Sequence, residues 1–165
     1  MIQKKICMLG AYAVGKTSLV QRYVQSIYTD KYLTTVGVKI DKKSVQVGDT
    51  EVNLLLWDIQ GDDGVDKLRS SYIRGASGYL LVIDGTRGAT LDTAREVQAF
   101  VDKEIGITPF LVAINKADLI EDWEITPAAI EELISRGWMV QHTSAKSGQG
   151  VEQAFTTLAE KIMER

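Results

Sequence analysis

The sequence predicts an α/β fold: a six-stranded mixed sheet, with one antiparallel strand, flanked by about five helices. Three observations carry this. Short apolar runs such as Ile6-Cys7-Met8-Leu9 and Tyr79-Leu80-Leu81-Val82-Ile83 alternate along the 165 residues with segments of helical period. That is the pattern of a buried, largely parallel sheet covered by helices. Gly48-Asp49 lies between two alternating stretches, a hairpin turn that makes one neighbouring pair antiparallel. Thr126-Pro127 places a capping hydroxyl before a proline at the first helical position.

Each element follows in order. Residues 5–9 read as a buried strand, followed by a glycine loop and a helix over 16–26. Strands at 38–47 and 50–58 meet at the hairpin. Residues 79–84 are a continuous apolar strand, 90–105 an amphipathic helix and 110–115 another buried strand. A helix starts at Pro127, a last strand covers 138–142 and a closing helix covers 151–165. There is no internal repeat or low-complexity tract, and the only prolines are Pro109 and Pro127. The chain, 1–165, therefore reads as a single domain.

Composition narrows the function classes. Net charge is −3, with 45% hydrophobic and 25% charged residues. Mild acidity argues against nucleic acid or anionic membrane as a partner, since both select a basic face. Cys7 is the only cysteine, so no intrachain disulfide is possible; its apolar neighbours mark it as core in a reducing compartment. No apolar run approaches the ~20 residues of a membrane span. Met1-Ile2-Gln3 lacks a myristoylation glycine and Met163-Glu164-Arg165 lacks a prenylation cysteine. A cytoplasmic protein with no membrane anchor in this chain is the expectation.

Gly10-Ala11-Tyr12-Ala13-Val14-Gly15-Lys16-Thr17 fits G-x-x-x-x-G-K-[ST] in full. The glycines let the backbone curl so that successive N–H groups converge on phosphate oxygens. Lys16 can reach β- and γ-phosphates, the Thr17 hydroxyl can ligate Mg²⁺, and the following helix adds its positive end. The octet would arise by chance in roughly one in 200 chains of this length, and here it lies between a predicted strand and helix. The predicted phosphate cradle is Ala13, Val14, Gly15, Lys16, Thr17 and Ser18.

Base choice rests on two later segments. Asn115-Lys116-Ala117-Asp118 follows a buried strand, at the edge where open α/β sheets bind ligands. A carboxylate at Asp118 can accept both the N1–H and the exocyclic amine of guanine, a donor pair adenine lacks. The stem of Lys116 can lie along the base. Ser144-Ala145-Lys146 follows the last strand and can offer a backbone N–H to guanine O6. Tyr28 offers an aromatic edge on the other side.

With these residues in view, the chain resembles a Ras-superfamily small GTPase, Rab-like in flavour, and so the P-loop GTPase version of the predicted fold. Trp57-Asp58-Ile59-Gln60-Gly61 is similar to the switch II signature W-D-x-x-G, and Thr35-Val36-Gly37 to the switch I T-x-G. Tyr72-Ile73-Arg74-Gly75-Ala76 and Leu80-Leu81-Val82-Ile83-Asp84 resemble the stretches that flank switch II in Rab proteins. The resemblance implies GTP or GDP with Mg²⁺ as cofactors. It implies Thr17, Thr35 and Asp58 around the metal, with Asp58 holding it through water and Thr35 recruited only by a γ-phosphate. The Gly61 N–H would touch that phosphate. The implied behaviour is a two-state switch that meets effector, exchange-factor and activating proteins through its switch regions. An exposed subset of Val36, Val38, Ile40, Trp57, Leu68 and Tyr72 is the expected effector patch.

The implied catalytic set is Lys16, Thr35, Gly61, Asp62 and Gln60, and here the family pattern breaks. Asp62, followed by Asp63, stands where the family usually has the glutamine that orients the attacking water. At about 5 Å and an effective dielectric near 20, repulsion from the γ-phosphate is on the order of 3 kcal/mol per charge pair. Tyr12 fills a loop position that is usually small, crowding the approach of a partner's arginine. Gln60 precedes Gly61 instead of following it. It either replaces the missing glutamine or, as one residue of displacement across a glycine favours, serves structure or a partner. Very slow Mg²⁺-dependent hydrolysis of GTP to GDP and phosphate is the expectation. The alternative is a non-hydrolysing pseudo-GTPase that acts as a binding module. An ATP-using kinase would leave Asn115 to Asp118 without a role. His142, the only histidine, reads as structural, Trp138 as core and Trp123 as a staple over the core.

Overall fold

A computed structural model describes residues 2–26, 37–59 and 70–164. Tyr28, Thr34, Thr35, Val36, Gln60, Gly61, Asp62, Asp63 and Leu68 lie outside the described residues.

The central strand β1, Ile2–Gly10, begins three residues before its apolar run and pairs in parallel with both β3, Thr50–Ile59, and β4, Gly78–Asp84. The strand β2, Val38–Val47, pairs antiparallel with β3 across the Gly48-Asp49 turn. β5, Phe110–Asn115, and β6, Met139–His142, extend the sheet in parallel, giving the order β2-β3-β1-β4-β5-β6. Every residue of β4 is buried, as a strand covered on both faces requires. β2 alternates exposed and half-buried positions, as suits an edge strand with one wet face.

Alternation along β1 feeds two cores. Ile6 and Met8 join Leu19, Val20, Leu56 and Phe155 under α1, Lys16–Gln25, and α5, Val151–Met163. Cys7 and Leu9 join Ile73, Tyr79, Val97 and Leu133 under α2, Ser70–Ile73, α3, Ala89–Ile105, and α4, Pro127–Ser135. The first core is tied by Tyr23 stacked on Phe155, ring centroids 4.1 Å apart. Cys7 is fully buried, and burial pushes its thiol up to about 12, against a small opposing effect of Lys5.

The local signals act as chemistry demands. Thr126 Oγ1 accepts from Ala129 N at 3.1 Å and caps α4. Ser26 closes α1 in the left-handed region. Two elements carry no forecast of their own: the single turn α2 and a 3₁₀ turn over Ala117–Asp122. Trp138 is half-buried, set edge-on to Phe110, and thus at the margin of the core. Among the described residues, no helix is long and apolar enough to cross a membrane.

Candidate nucleotide site

Everything chemical gathers at the C-terminal ends of β1, β3, β4, β5 and β6, where an open α/β sheet leaves its crevice. The loop after β1 turns on Gly10 at φ +146° and Gly15 at φ +104°. A Cβ on Gly10 would collide with the Val82 carbonyl, and one on Gly15 with Asn115 Nδ2. Both positions therefore require glycine on conformation and on space. Ala13 is also left-handed, φ 61°, a modest strain of the kind that collects at functional sites. Lys16 is buried at the start of α1, its ammonium donating to the Gly10 and Ala11 carbonyls at 3.2 Å each. The loop thus has the curled shape of a phosphate cradle, with its cation held at the rim.

Thr17 and Asp58 meet although 41 residues separate them: Thr17 Oγ1 donates to Asp58 Oδ2 at 2.6 Å. Asp58 is buried at the end of β3. Two hard oxygen donors side by side beside a phosphate cradle fit Mg²⁺, which takes one or two protein oxygens and completes its shell with water and phosphate.

The base side is a clasp. Asn115 is buried, and its Nδ2 donates to the Val14 carbonyl at 3.0 Å. Its Oδ1 accepts from Thr143 Oγ1 at 3.2 Å and from Ala145 N at 3.3 Å. Asn115 therefore works as a tie between the phosphate loop and the loop after β6. Asp118 accepts from Ser144 Oγ at 2.7 Å, which aligns its carboxylate with the 144–146 turn. Lys116 sits in the left-handed region at φ 73°.

Three residues that sequence reading did not single out complete the frame. Arg22 of α1 donates to the carbonyls of Ala145, at 2.7 Å, and Lys146. Asp84, fully buried at the end of β4, pairs through Oδ2 with Lys116 Nζ at 2.7 Å and Arg87 Nε at 3.0 Å. Arg87 Nη2 also donates to the Tyr12 carbonyl at 2.7 Å. Only the Asp84 position, at the end of an apolar strand, left a hint. Apart from Arg87 on Asp84, three residues apart, the partners lie tens of residues away and no spacing rule joins them.

Trp123 is the expected staple: its Nε1 donates to the Lys116 carbonyl at 2.9 Å and its ring stacks on His142 with centroids 5.1 Å apart. Tyr12 is 41% exposed. Of the expected effector patch, Ile40 is exposed while Val38, Trp57 and Tyr72 are half-buried. Trp57 lies under Lys5, whose ammonium stands 3.7 Å from the ring centroid.

Comparison with known proteins supplies the family. The family model described as Ras family matches residues 5–164. The Ras-related protein Rab-7L1 of Rattus norvegicus is 33% identical over 169 residues, covering 96% of this chain and 81% of that protein. The GTP-binding protein yptV2 of Volvox carteri is 31% identical, covering 98% of this chain and 76% of the relative. The GTP-binding protein ypt1 of Schizosaccharomyces pombe is 30% identical, with 98% and 80% covered. The chain belongs to the Ras family and is a Rab-like small GTPase, a guanine-nucleotide-binding switch.

Proposed function

We propose that this chain is a Mg²⁺-dependent GTP/GDP switch whose unassisted hydrolysis is very slow, so that its GTP-bound state is long-lived. The observation that carries the reading is the 2.6 Å meeting of Thr17 and Asp58 beside the curled loop that ends in Lys16. In this reading, residues 1–165 work as one domain and 13–18 hold the phosphates through their backbone N–H groups. Asn115 and Lys116 frame the base, Asp118 reads the guanine donor pair, and Ser144, Ala145 and Lys146 present the opposite edge, with Tyr28 beside it. A carboxylate fitted to two donors discriminates, because the wrong base displaces its water without offering that donor pair.

Thr17, Asp58 and, with GTP bound, Thr35 would hold Mg²⁺. The ion would offset charge on the β- and γ-phosphate oxygens. Lys16 would leave the Gly10 and Ala11 carbonyls for phosphate oxygens, a better partner for an ammonium. The Gly61 N–H would meet the γ-phosphate. Slow turnover follows from Asp62, an anion where a neutral amide normally orients water. Exchange factors, activating proteins and effectors would read the two switches, with Tyr12 making a partner's arginine harder to insert.

The test is phosphate release in a single turnover from GTP-loaded protein, wild type against Asp62→Gln. Wild type is expected below ~10⁻⁴ s⁻¹ and the variant well above it. Equal rates would remove Asp62 as the cause and bring Gln60 forward, through Gln60→Ala. Silence in both would assign a non-hydrolysing binding module. Failure to bind GTP with Mg²⁺ would end the reading altogether.

A further inference from the structure

At the β5–β6 side of the sheet, beside the nucleotide site, lies an acidic surface of which the base would use only Asp118. Residues 117–135 include Asp118, Glu121, Asp122, Glu124, Glu131 and Glu132 and no lysine or arginine. Some of these carboxylates are already engaged. Asp118 takes the Ser144 hydroxyl, Glu124 the Gly88 N–H at 2.7 Å, and Glu132 pairs with Arg136 at 3.1 Å. Glu121, Asp122 and Glu131 are exposed and, among the described residues, make no ion pair.

Apolar groups lie among these charges. Leu119, Ile120 and Ile134 are 42%, 55% and 49% exposed. A cavity of about 420 Å³ opens here, walled by Ile120, Trp123, Ile125 and Ile130, with Glu131 and His142 as its polar side. That volume falls within the range of ligand pockets. The pocket is held in shape before anything enters it. Trp123 is fixed by its bond to the Lys116 carbonyl and its stack on His142, and Thr126 caps the helix at the rim. Preorganisation of this kind lowers the cost of binding.

We propose that this surface docks a segment of a partner protein that carries one large apolar anchor flanked by lysine or arginine. The anchor fills the pocket while the flanking cations meet Glu121, Asp122 and Glu131. Charge complementarity decides the class: Arg136 and Arg95 are spent on Glu132, and the remaining exposed carboxylates Glu121, Asp122 and Glu131 repel nucleic acid and anionic lipid and attract a basic peptide. Strand order places the pocket at the β5–β6 side, away from the β2–β3 side that carries the switches. A partner docked here can therefore stay on whichever nucleotide is bound.

The experiment uses the full chain loaded with GDP and a fluorescein-labelled ten-residue peptide holding a central leucine-tryptophan pair between lysines. A control peptide has every lysine replaced by glutamate. Anisotropy is expected to report binding of the lysine peptide only, weakening as ionic strength rises because exposed pairs are screened. Reversing Glu121→Lys, Asp122→Lys and Glu131→Lys together is expected to weaken it ~tenfold or more. Ile120→Asp should weaken it as well, and both variants should retain GDP as wild type does, which shows that they fold. Amide shifts should centre on Ile130 and His142. The proposal is overturned if neither peptide binds, if both bind alike, if the charge reversal changes nothing, or if the shifts fall on β2 and β3. Equal binding of both peptides would make this an apolar docking site to which the carboxylates contribute nothing.

Discussion

Asp84 has no contact with solvent, yet it is held ionised. Burial alone pushes its carboxyl up, but hydrogen bonds from Lys116, Thr86 and Arg87 outweigh that and leave it below the ordinary carboxylate value. A depressed folded-state value means that the stabilisation is complete at neutral pH. It is lost only as pH falls through the carboxylate range, below about 4. Asp84→Asn keeps the shape and removes the charge that two cations face. It should cost about 2 kcal/mol at pH 7, less than a fully buried pair would because Lys116 and Arg87 are partly exposed. Denaturant titration from pH 8 to pH 3 would check this: the gap between wild type and variant should hold to about pH 5 and shrink below it. A gap independent of pH would mean that Asp84 acts through packing alone.

At the scale of elements, the Trp123 indole N–H on the Lys116 carbonyl is one of the bonds, with Ser144 on Asp118, that join the segment after β5 to the nucleotide site. Trp123→Phe removes that donor but keeps an aromatic ring over His142. It should cost about 1 kcal/mol of stability and speed release of fluorescent GDP several-fold, whereas Trp138→Phe, remote from Lys116, should not change release. Unchanged release in Trp123→Phe would show that Lys116 is held well enough by Asp84. What sequence reading could see at this scale divides along physical lines. Strands and long helices were legible because hydrophobic period, Gly48 and Thr126-Pro127 are local signals. The phosphate loop and the base-reading segments were legible because their chemistry is fixed by residue type and short spacing. The single turn α2, the 3₁₀ turn at Ala117–Asp122 and the contacts of Arg22 and Arg87 were not legible. Apart from the Arg87–Asp84 pair, each is set by packing between residues distant in sequence, and a lone arginine carries no mark of its partner. Asn115 was legible as part of the base motif, but its work as a tie between three loops appears only in three dimensions.

For the whole molecule, the sheet separates two cores and the candidate site spans the tops of both. Val14 and α1 root the phosphate side in the first core, while Trp123 packs against the second. A ligand at the strand ends therefore binds the folded form and no other, and stability should follow its concentration. At 1,000 times its dissociation constant, GDP with Mg²⁺ should add ~4 kcal/mol. Thermal melts over a GDP series, beside an ATP series, would check this: GDP should raise the midpoint progressively and ATP should leave it in place. Parallel shifts with both nucleotides would contradict the reading of Asp118 as a guanine selector.

One feature of β1 bears on how this protein can vary. Its neighbours in sequence feed opposite cores, and its last residue, Gly10, must stand against Val82 with no side chain. Strand register and loop register are consequently a single quantity. Adding or deleting one residue between Ile6 and Gly10 would send the strand residues on one side of it to the wrong cores and displace the cradle together. The Gly48-Asp49 hairpin, at the sheet's far corner, constrains only its own two strands. Length change is open to the molecule at its edges and closed at its centre, so lineages of this fold can drift in their hairpins while the path from first strand to first helix keeps its count.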